Sequence, residues 1–327
     1  MSKLPKIALI GNPNAGKSSL FNSLTGLNQK TGNFPGVTMD KLTGIWELEP
    51  NRKVEVLDLP GIYSIYPKSI DEELVINILG NPSHADYPDM AIVVADASNL
   101  KRNLLLFSQV RDLGIPTVLA LNMVDVAENQ GYVINSIKLA RELNIEVAEI
   151  NAKKGIGVNG LRLAVEKTLK NRYASNDALP LPVGDDLLAD ITAQYGEADP
   201  YRSLLWLMEH DRMKMFSEEQ RIGFDRLQEK HRFDAKSYKT SETVKRYEAL
   251  SEIVERCVIN LNRQWDAPPV KTMTDRLDKF FLHPVGGYLI FLGILFLMFQ
   301  AVFTWAAYPM DAIDGGVAQL NDYLKEI

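Results

Sequence analysis

Residues 11–18, Gly-Asn-Pro-Asn-Ala-Gly-Lys-Ser, carry the spacing G-x-x-x-x-G-K-S. Glycines at both ends of such a loop let successive backbone N–H groups turn inward around phosphate oxygens. A helix opening at the lysine adds the positive end of its dipole. Lys17 is expected to reach the β- and γ-phosphates of a nucleotide, and the Ser18 hydroxyl to bind Mg2+. Gly11, Asn12, Pro13, Asn14, Ala15, Gly16 and Ser19 complete the expected cradle.

Three further segments extend this chemistry. Asp58-Leu59-Pro60-Gly61 ends an apolar run. Asp58 is expected to hold Mg2+ through water, and the Gly61 N–H to sense the γ-phosphate. Between the two motifs lies GNFPGVT, residues 32–38, which reads as a flexible loop. Within it Gly36 and Val37 lead to Thr38, the favoured second hydroxyl for Mg2+, with Thr31 and Thr43 as alternatives. Asn122-Met123-Val124-Asp125 follows another apolar run. The Asp125 carboxylate can accept from the N1 and N2 hydrogens of guanine, an arrangement adenine does not present. That pairing selects GTP over ATP. Met123 stands where the usual signature N-K-x-D has lysine; its thioether chain still covers a base face, without the charge. Asn151, Ala152 and Lys153 begin a loop placed where a backbone approaches the guanine oxygen. Ile62, next to Gly61, stands where Ras-type GTPases carry a glutamine that orients water. An isoleucine does not polarise water, so either the backbone or another residue positions the nucleophile, or hydrolysis is slow.

The elements that must hold these motifs are legible as alternating short apolar runs and amphipathic stretches. Lys6–Ile10, Leu42–Glu49, Val54–Leu59, Met90–Ala97, Thr117–Asn122 and Val147–Ile150 read as strands, with Leu42–Glu49 at an edge. Lys17–Leu24, Asn99–Leu113, Ile134–Leu143 and Gly160–Lys170 read as helices. The expected fold is α/β: a P-loop, Ras-like G domain with a six-stranded, mostly parallel sheet and helices on both faces. Two prolines and a glycine in residues 178–186 break the pattern. From Leu187 to Trp265 no convincing strand is seen, and a small all-α domain is expected. One of its helices would bury Val244, Tyr247, Leu250, Ile253 or Val254, and Cys257. Pro268-Pro269 marks the next joint. The expected divisions are 1–172 (GTPase domain), 173–270 (helical domain) and 271–327 (membrane-proximal segment).

Composition narrows the function classes. The chain has 327 residues, long for one domain. A net charge of −6 argues mildly against a nucleic-acid partner. The one cysteine, Cys257, permits no internal disulfide, which suits a reducing cytoplasm. The N-terminal residues do not read as a secretory signal. Between Lys279 and Asp311 there is no charged residue, and Val285–Ala307 is long enough as a helix to cross about 30 Å of hydrocarbon. Tyr288, Trp305 and Tyr308 lie near its ends, as interfacial aromatics do. His84, His210, His231 and His283 are scattered, and no cluster with metal-ligand spacing is found.

Taken together, GNPNAGKSSLFNSLTG, GNFPGVT, DLPGIYSI with the following PKSIDEEL, and NMVD resemble the ferrous iron transport protein B family. The resemblance spans essentially the whole chain. It implies a cytoplasmic GTPase that couples nucleotide state to Fe(II) uptake, with a helical domain similar to a guanine-nucleotide-dissociation inhibitor. It implies GTP and GDP as substrate and product, Mg2+ as cofactor, and K+ as an activating ion held by Asn14. Lys17, Thr38, Gly61 and Asn14 would then be the catalytic set. It also implies a bacterial inner membrane location with residues before about 280 in the cytoplasm, and Fe(II) passing through a membrane domain not contained here. Small cytoplasmic accessory iron-transport proteins, homo-oligomers and no nucleic acid are the expected partner pattern. With one apparent span, the chain reads as a truncation or the product of a split gene. The competing reading is a membrane-tethered GTP-dependent switch that recruits partners without transport. A ribosome-assembly GTPase fits the acidic balance and apolar span less well. Asn151 departs from the serine that often opens the last motif in this family.

Overall fold

The computed structural model describes residues 4–26, 29–34, 40–171, 183–197, 199–261, 281, 286–305 and 313–317. Two units emerge, Met1–Leu261 and Asn262–Ile327.

The first unit is built on a twisted sheet. Its strands are β1 (Lys6–Gly11), β2 (Gln29–Asn33), β3 (Asp40–Glu49), β4 (Arg52–Asp58), β5 (Met90–Asp96) and β6 (Thr117–Asn122), with β7 (Tyr132–Ile134) apart from it and β8 (Glu146–Ile150) at its far edge. Among the described residues the order is β2-β3-β4-β1-β5-β6-β8. β4, β1, β5, β6 and β8 run parallel, and β3 and β2 pair antiparallel at one edge. Parallel strands covered on both faces need apolar residues on both, so β1, β5 and β6 are continuous apolar runs. Alternate residues feed two cores. Ile7, Leu9, Val56, Ile92, Val94 and Val118 face one layer with Leu20, Phe21, Leu161 and Val165. Ala8, Ile10, Leu57, Val93, Leu119 and Leu121 face the other, with Leu104, Phe107, Leu204 and Phe224.

This sheet has one strand more than the six expected. β2 is the addition, and all five of its residues, Gln-Lys-Thr-Gly-Asn, are exposed. It is held by backbone pairing to β3, from Gln29↔Gly44 to Asn33↔Asp40, so no hydrophobic pattern announces it.

Helices α1 (Lys17–Thr25), α2 (Ile70–Leu79), α3 (Leu100–Asp112), α4 (Val124–Asn129), α5 (Ser136–Leu143) and α6 (Val158–Asn171) connect the strands. Helices α7 (Asp185–Tyr195), α8 (Pro200–Glu209), α9 (Glu218–Lys230) and α10 (Ala235–Cys257) follow. Their caps explain their starts: Asp199 caps α8 ahead of a proline at the first turn, and Ser217 with Gln220 closes a capping box on α9. The helical region is not strand-free. Directly after α10, β9 (Val258–Asn260) pairs antiparallel with β7. Three-residue strands this far apart in sequence leave no local signature.

The buried face of α10 also differs from expectation. Tyr238, Glu242, Arg246, Leu250 and Cys257 are buried, whereas Val244 is exposed. The stripe includes two charged residues because they meet a third. Arg246 donates to Glu242 at 2.6 Å and to Asp112 of α3 at 2.7 Å, and Tyr201 donates to Glu242 at 3.2 Å. Neighbouring contacts tie the same regions together. Trp206 donates to the Gly80 carbonyl at 2.8 Å, and Asn77 bridges the Arg212 carbonyl and the Lys214 N–H at 2.9 and 2.7 Å.

In the second unit, α11 (Gly286–Gln300) continues into a π-helical turn, Ala301–Trp305. Residues Gly286–Phe303 are long and apolar enough to cross a membrane, with mean hydropathy 2.1 and no burial within the molecule. This stretch falls within the expected span, Val285–Ala307, whose ends lie outside the described residues.

Candidate nucleotide-binding site

The parallel strands end at one edge of the sheet, and each end carries a motif. β1 ends at Gly11, β4 at Asp58, β6 at Asn122 and β8 at Ile150, next to Asn151. Register explains the convergence: Leu9 lies opposite Asp58, and Asn122 opposite Ile150. Crevices at the C-terminal ends of parallel strands are where α/β proteins bind ligands.

The loop between β1 and α1 is shaped by backbone conformations that few residues adopt. Asn14 and Gly16 have φ of +66° and +94°, which glycine and, next, asparagine tolerate. A Cβ at Gly16 would lie 2.1 Å from Asn122 Nδ2, so only glycine fits there. The Ala15 N–H returns to the Asn12 carbonyl at 3.2 Å. Asn122 joins the motifs: its Nδ2 donates to the Ala15 carbonyl at 2.9 Å, and its Oδ1 accepts from the Ala152 N–H at 3.0 Å. Asn12 is buried, and its Oδ1 has no protein partner. Pro13, Asn14, Ser18 and Ser19 are exposed at the rim.

Lys17 and Asp58 form an ion pair, both side chains largely buried. Burial pushes the Asp58 carboxyl above its usual range, against the opposing pull of the Lys17 ammonium. Ammonium, carboxylate and the nearby Ser18 hydroxyl give hard oxygen donors beside a cation. That is the donor chemistry for a phosphate with Mg2+.

The segment after Asp58 is stapled to this loop. Leu59 N–H donates to the Leu9 carbonyl at 3.2 Å and Ile62 N–H to the Gly11 carbonyl at 3.1 Å. A Cβ on Gly61 would come within 3.1 Å of Pro13, so the backbone there approaches the phosphate loop closely. The Ile62 side chain is fully buried in the core and has no access to water at the site. Further along, Gln109 of α3 accepts from the Ser64 hydroxyl at 3.0 Å and the Ile65 N–H at 3.2 Å. The Arg102 guanidinium lies 4.2 Å from the Tyr63 ring centre. Sequence reasoning missed Gln109; a glutamine on the apolar face of a helix was the available signal.

At the other end, Met123 has φ of +60° and immediately precedes α4. This turns the chain so that Asp125 lies on the first turn of α4, exposed. Asn151 Nδ2 donates to Asp125 Oδ2 at 3.2 Å, and Lys154 Nζ lies 3.9 Å from the same oxygen. Lys153 is exposed in the same turn. Gly36, Val37 and Thr38 lie outside the described residues. The structure therefore brings together every other expected site residue along one edge, from Gly11 to Ser19, Asp58 and Gly61 to Asn122–Asp125 and Asn151–Lys153. Among the described residues there is no metal-ligand cluster of His, Cys, Asp and Glu.

The profile of the family described as "Ferrous iron transport protein B" matches residues 5–165. An Fe(2+) transporter FeoB of Leptospira biflexa is 30% identical over 340 residues, covering 99% of this chain and 47% of the relative. The Salmonella typhimurium FeoB is 35% identical, covering 97% and 40%. A Porphyromonas gingivalis relative, 30% identical, is an Fe(2+) transport protein A/FeoB fusion protein, of which the chain covers 39%. The chain thus spans about half the length of the curated relatives it matches, or less. Among solved structures, the cytosolic domain of L. pneumophila FeoB matches with TM-score 0.64 and 32% identity, over 78% of this chain and 99% of that one. A GDP-bound mutant of the S. thermophilus FeoB G-domain matches with TM-score 0.58 and 33% identity, over 78% and 100%. The T. maritima FeoB cytosolic domain in GMPPNP form matches with TM-score 0.59 and 26% identity, over 78% and 100%. With its P-loop fold, its motif set and these similarities, the chain belongs to the ferrous iron transport protein B family.

Proposed function

We propose that this chain binds guanine nucleotide and hydrolyses GTP as the nucleotide-driven part of a ferrous iron transporter. One observation carries the reading. Through Asn122, the phosphate loop at Ala15 and the base-end loop at Ala152 are joined by two hydrogen bonds into one body, so a ligand is gripped at both ends. Lys17 takes the β- and γ-phosphates. Asp125 reads the base, with Met123 beside it and the backbone of Asn151–Lys153 near the guanine oxygen.

Ser18, Asp58 and Thr38 would hold Mg2+, which supplies charge neutralisation to the phosphates when bound. Asn14, in its left-handed conformation at the rim, would offer a carbonyl oxygen to K+. The Gly61 N–H marks the γ-phosphate, so GTP and GDP differ at the segment running to Tyr66 and Pro67. Arg212 of the helical region donates to the Pro67 carbonyl. That contact gives the nucleotide state a route to the helices after residue 183. With Ile62 buried, the attacking water is oriented by backbone groups and Thr38 rather than by a glutamine.

The apolar helix at 286–303 would place the chain in the bacterial inner membrane, with the preceding unit in the cytoplasm. Fe(II) would pass through the part of the relatives' length that lies outside the matched region. Small accessory iron-transport proteins, in keeping with the fused relative, and copies of this chain are the expected partners; nucleic acid is not. The membrane-tethered switch without transport has no observation in its favour.

The test is GTP turnover by the full chain in detergent, in K+ and in Na+, with ATP as competitor. The expected result is turnover that GDP inhibits, ATP does not, and K+ accelerates. Asn14→Ala should lose the K+ acceleration and keep GDP binding. Equal affinity for adenine nucleotides, or no binding heat with GDP, would overturn the reading.

A further inference from the structure

The loop that carries Thr38 stands on a weak stem. β4 supports β3 only from Leu42 onward, and Leu42 lies opposite Asp58. Asp40 and Lys41, the two residues before it, pair on the backbone with Asn33 and Gly32 of β2. β2 is an edge strand with all five residues exposed, and solvent-exposed pairing of that kind opens readily. Two side chains compensate. Phe34, directly after β2, is buried in the same core as Leu59 and Ile62. Lys41 reaches to the connection between α2 and β5, where its Nζ donates to both carboxylate oxygens of Asp86, each at 2.6 Å. The same ammonium lies 5.8 Å from the Phe34 ring centre. Asp86 is 4% exposed, and Lys6 of β1 donates to its Oδ1 at 3.0 Å. An ion pair in open solvent adds little order. This carboxylate is buried and is also held from a second strand, so it makes a firm post.

We infer that Lys41 and Asp86 are positioning residues for GTP hydrolysis: their pair holds the downstream foot of the GNFPGVT loop, and so presents the Thr38 hydroxyl to Mg2+. Thr38 is three residues ahead of Lys41 in the chain, a reach of at most about 10 Å. With the foot held, less ordering remains to be done when a triphosphate and its Mg2+ arrive. With the foot loose, that ordering weakens the binding of the triphosphate. GDP lacks the γ-phosphate and leaves the loop unengaged, so its binding is indifferent to the foot. The inference rests on Thr38 as an Mg2+ hydroxyl in the GTP state.

The experiment titrates the full chain in detergent with GMPPNP and with GDP, in Mg2+, by calorimetry. Lys41→Met removes the ammonium and leaves Asp86 paired with Lys6. Its affinity for GMPPNP should fall about tenfold, the size of one hydrogen bond to a charged group, while its affinity for GDP stays at the wild-type value. Lys41→Arg, which keeps the pair, should restore GMPPNP binding. Lys6→Met disturbs the same carboxylate from β1 without touching β3, and should leave both affinities unchanged. If Lys41→Met does not fold, Lys41→Gln carries the test in the same direction. An equal loss for GDP, or an equal GMPPNP loss in Lys6→Met, would reduce the pair to a structural role. Wild-type GMPPNP affinity in Lys41→Met, while Thr38→Ala lowers it, overturns the role of the pair alone. If Thr38→Ala also binds GMPPNP like the wild type, the Mg2+ assignment of Thr38 beneath it fails.

Discussion

Two groups of polar side chains in this molecule live under opposite conditions. Along the strand ends, Ser18, Asn14, Asp125 and Lys153 are exposed, and their positions are set by backbone turns at Asn14, Gly16 and Met123. Between α3 and α10, Asp112, Glu242 and Arg246 are buried; Arg246 pairs with both carboxylates and Arg111 also reaches Asp112, while Glu242 Oε2 is left without a hydrogen-bond partner among the described residues. Burial alone would lower the Arg246 pKa, but the Tyr201 hydroxyl, Glu242 and Asp112 outweigh it and raise it. Tyr201 donates to Glu242, and burial pushes the hydroxyl pKa of Tyr201 and of nearby Tyr66 up. The comparison teaches that polar groups at the rim of the strand ends are left open to solvent, whereas the charges between α3 and α10 are already paired with their neighbours. Mutations in the first group should change chemistry without stability, and in the second stability first.

The sharpest break of that contrast is Arg246→Ala. It leaves the buried Glu242 carboxylate without its cation and Asp112 with Arg111 alone, and the expected loss is about 3–5 kcal/mol, roughly 10 °C in melting temperature by calorimetry. Replacing Arg246, Glu242 and Asp112 together by apolar residues of similar volume should recover most of it. If the single variant melts like the wild type, the junction does not carry the stability assigned to it. Next is Lys17→Ala, expected to slow GTP turnover about 10²–10³-fold and, because it leaves the largely buried Asp58 unpaired, to lower the melting temperature as well. Unaltered turnover by the folded variant would remove Lys17 from the phosphate-binding role. Gly16→Ala should weaken nucleotide binding by disturbing Asn122, and the check is a GDP titration; an unaltered titration would show that the loop has room.

The smallest effect is expected at Asp86. Burial opposes its ionisation, but hydrogen bonds from Lys41 and Lys6 outweigh that and hold its carboxyl below the usual range. A carboxyl whose folded pKa is depressed stabilises above its unfolded value, near 3.8, and that stabilisation is lost as the pH falls through the folded value. Asp86→Asn should therefore cost about 1–2 kcal/mol near neutral pH and flatten the acid limb of a melting-temperature profile. An acid limb as steep as that of the wild type would shift the acid lability elsewhere.

What could be seen in the sequence followed from how each feature is stabilised. The P-loop and the six strands other than β2 in the sheet announce themselves because phosphate cradles need glycines, buried parallel strands need unbroken apolar runs and β3 alternates. β2 was invisible because its five exposed polar residues are held only by backbone pairing. β7 and β9 were invisible because their partnership joins residues 132–134 to 258–260. On α10 the expected Leu250 and Cys257 are buried and Tyr247, Ile253 and Val254 pack against the core, but Val244 is exposed and the burial of Glu242 and Arg246 was not legible, because their ionic cluster depends on Asp112, distant in the chain. At the site, residue types located Asn122, Asp125 and Asn151, but not the hydrogen bonds that make them one assembly.

The burial of Ile62 bears on how this protein could change over time. Its side chain sits in the core with Leu57, Leu59 and Ile65, and its N–H is committed to Gly11. A glutamine introduced there would have to bury a primary amide among aliphatic groups, at a cost of about 1–3 kcal/mol, and would still face away from the nucleotide. Packing thus closes this position to a Ras-style water-orienting side chain.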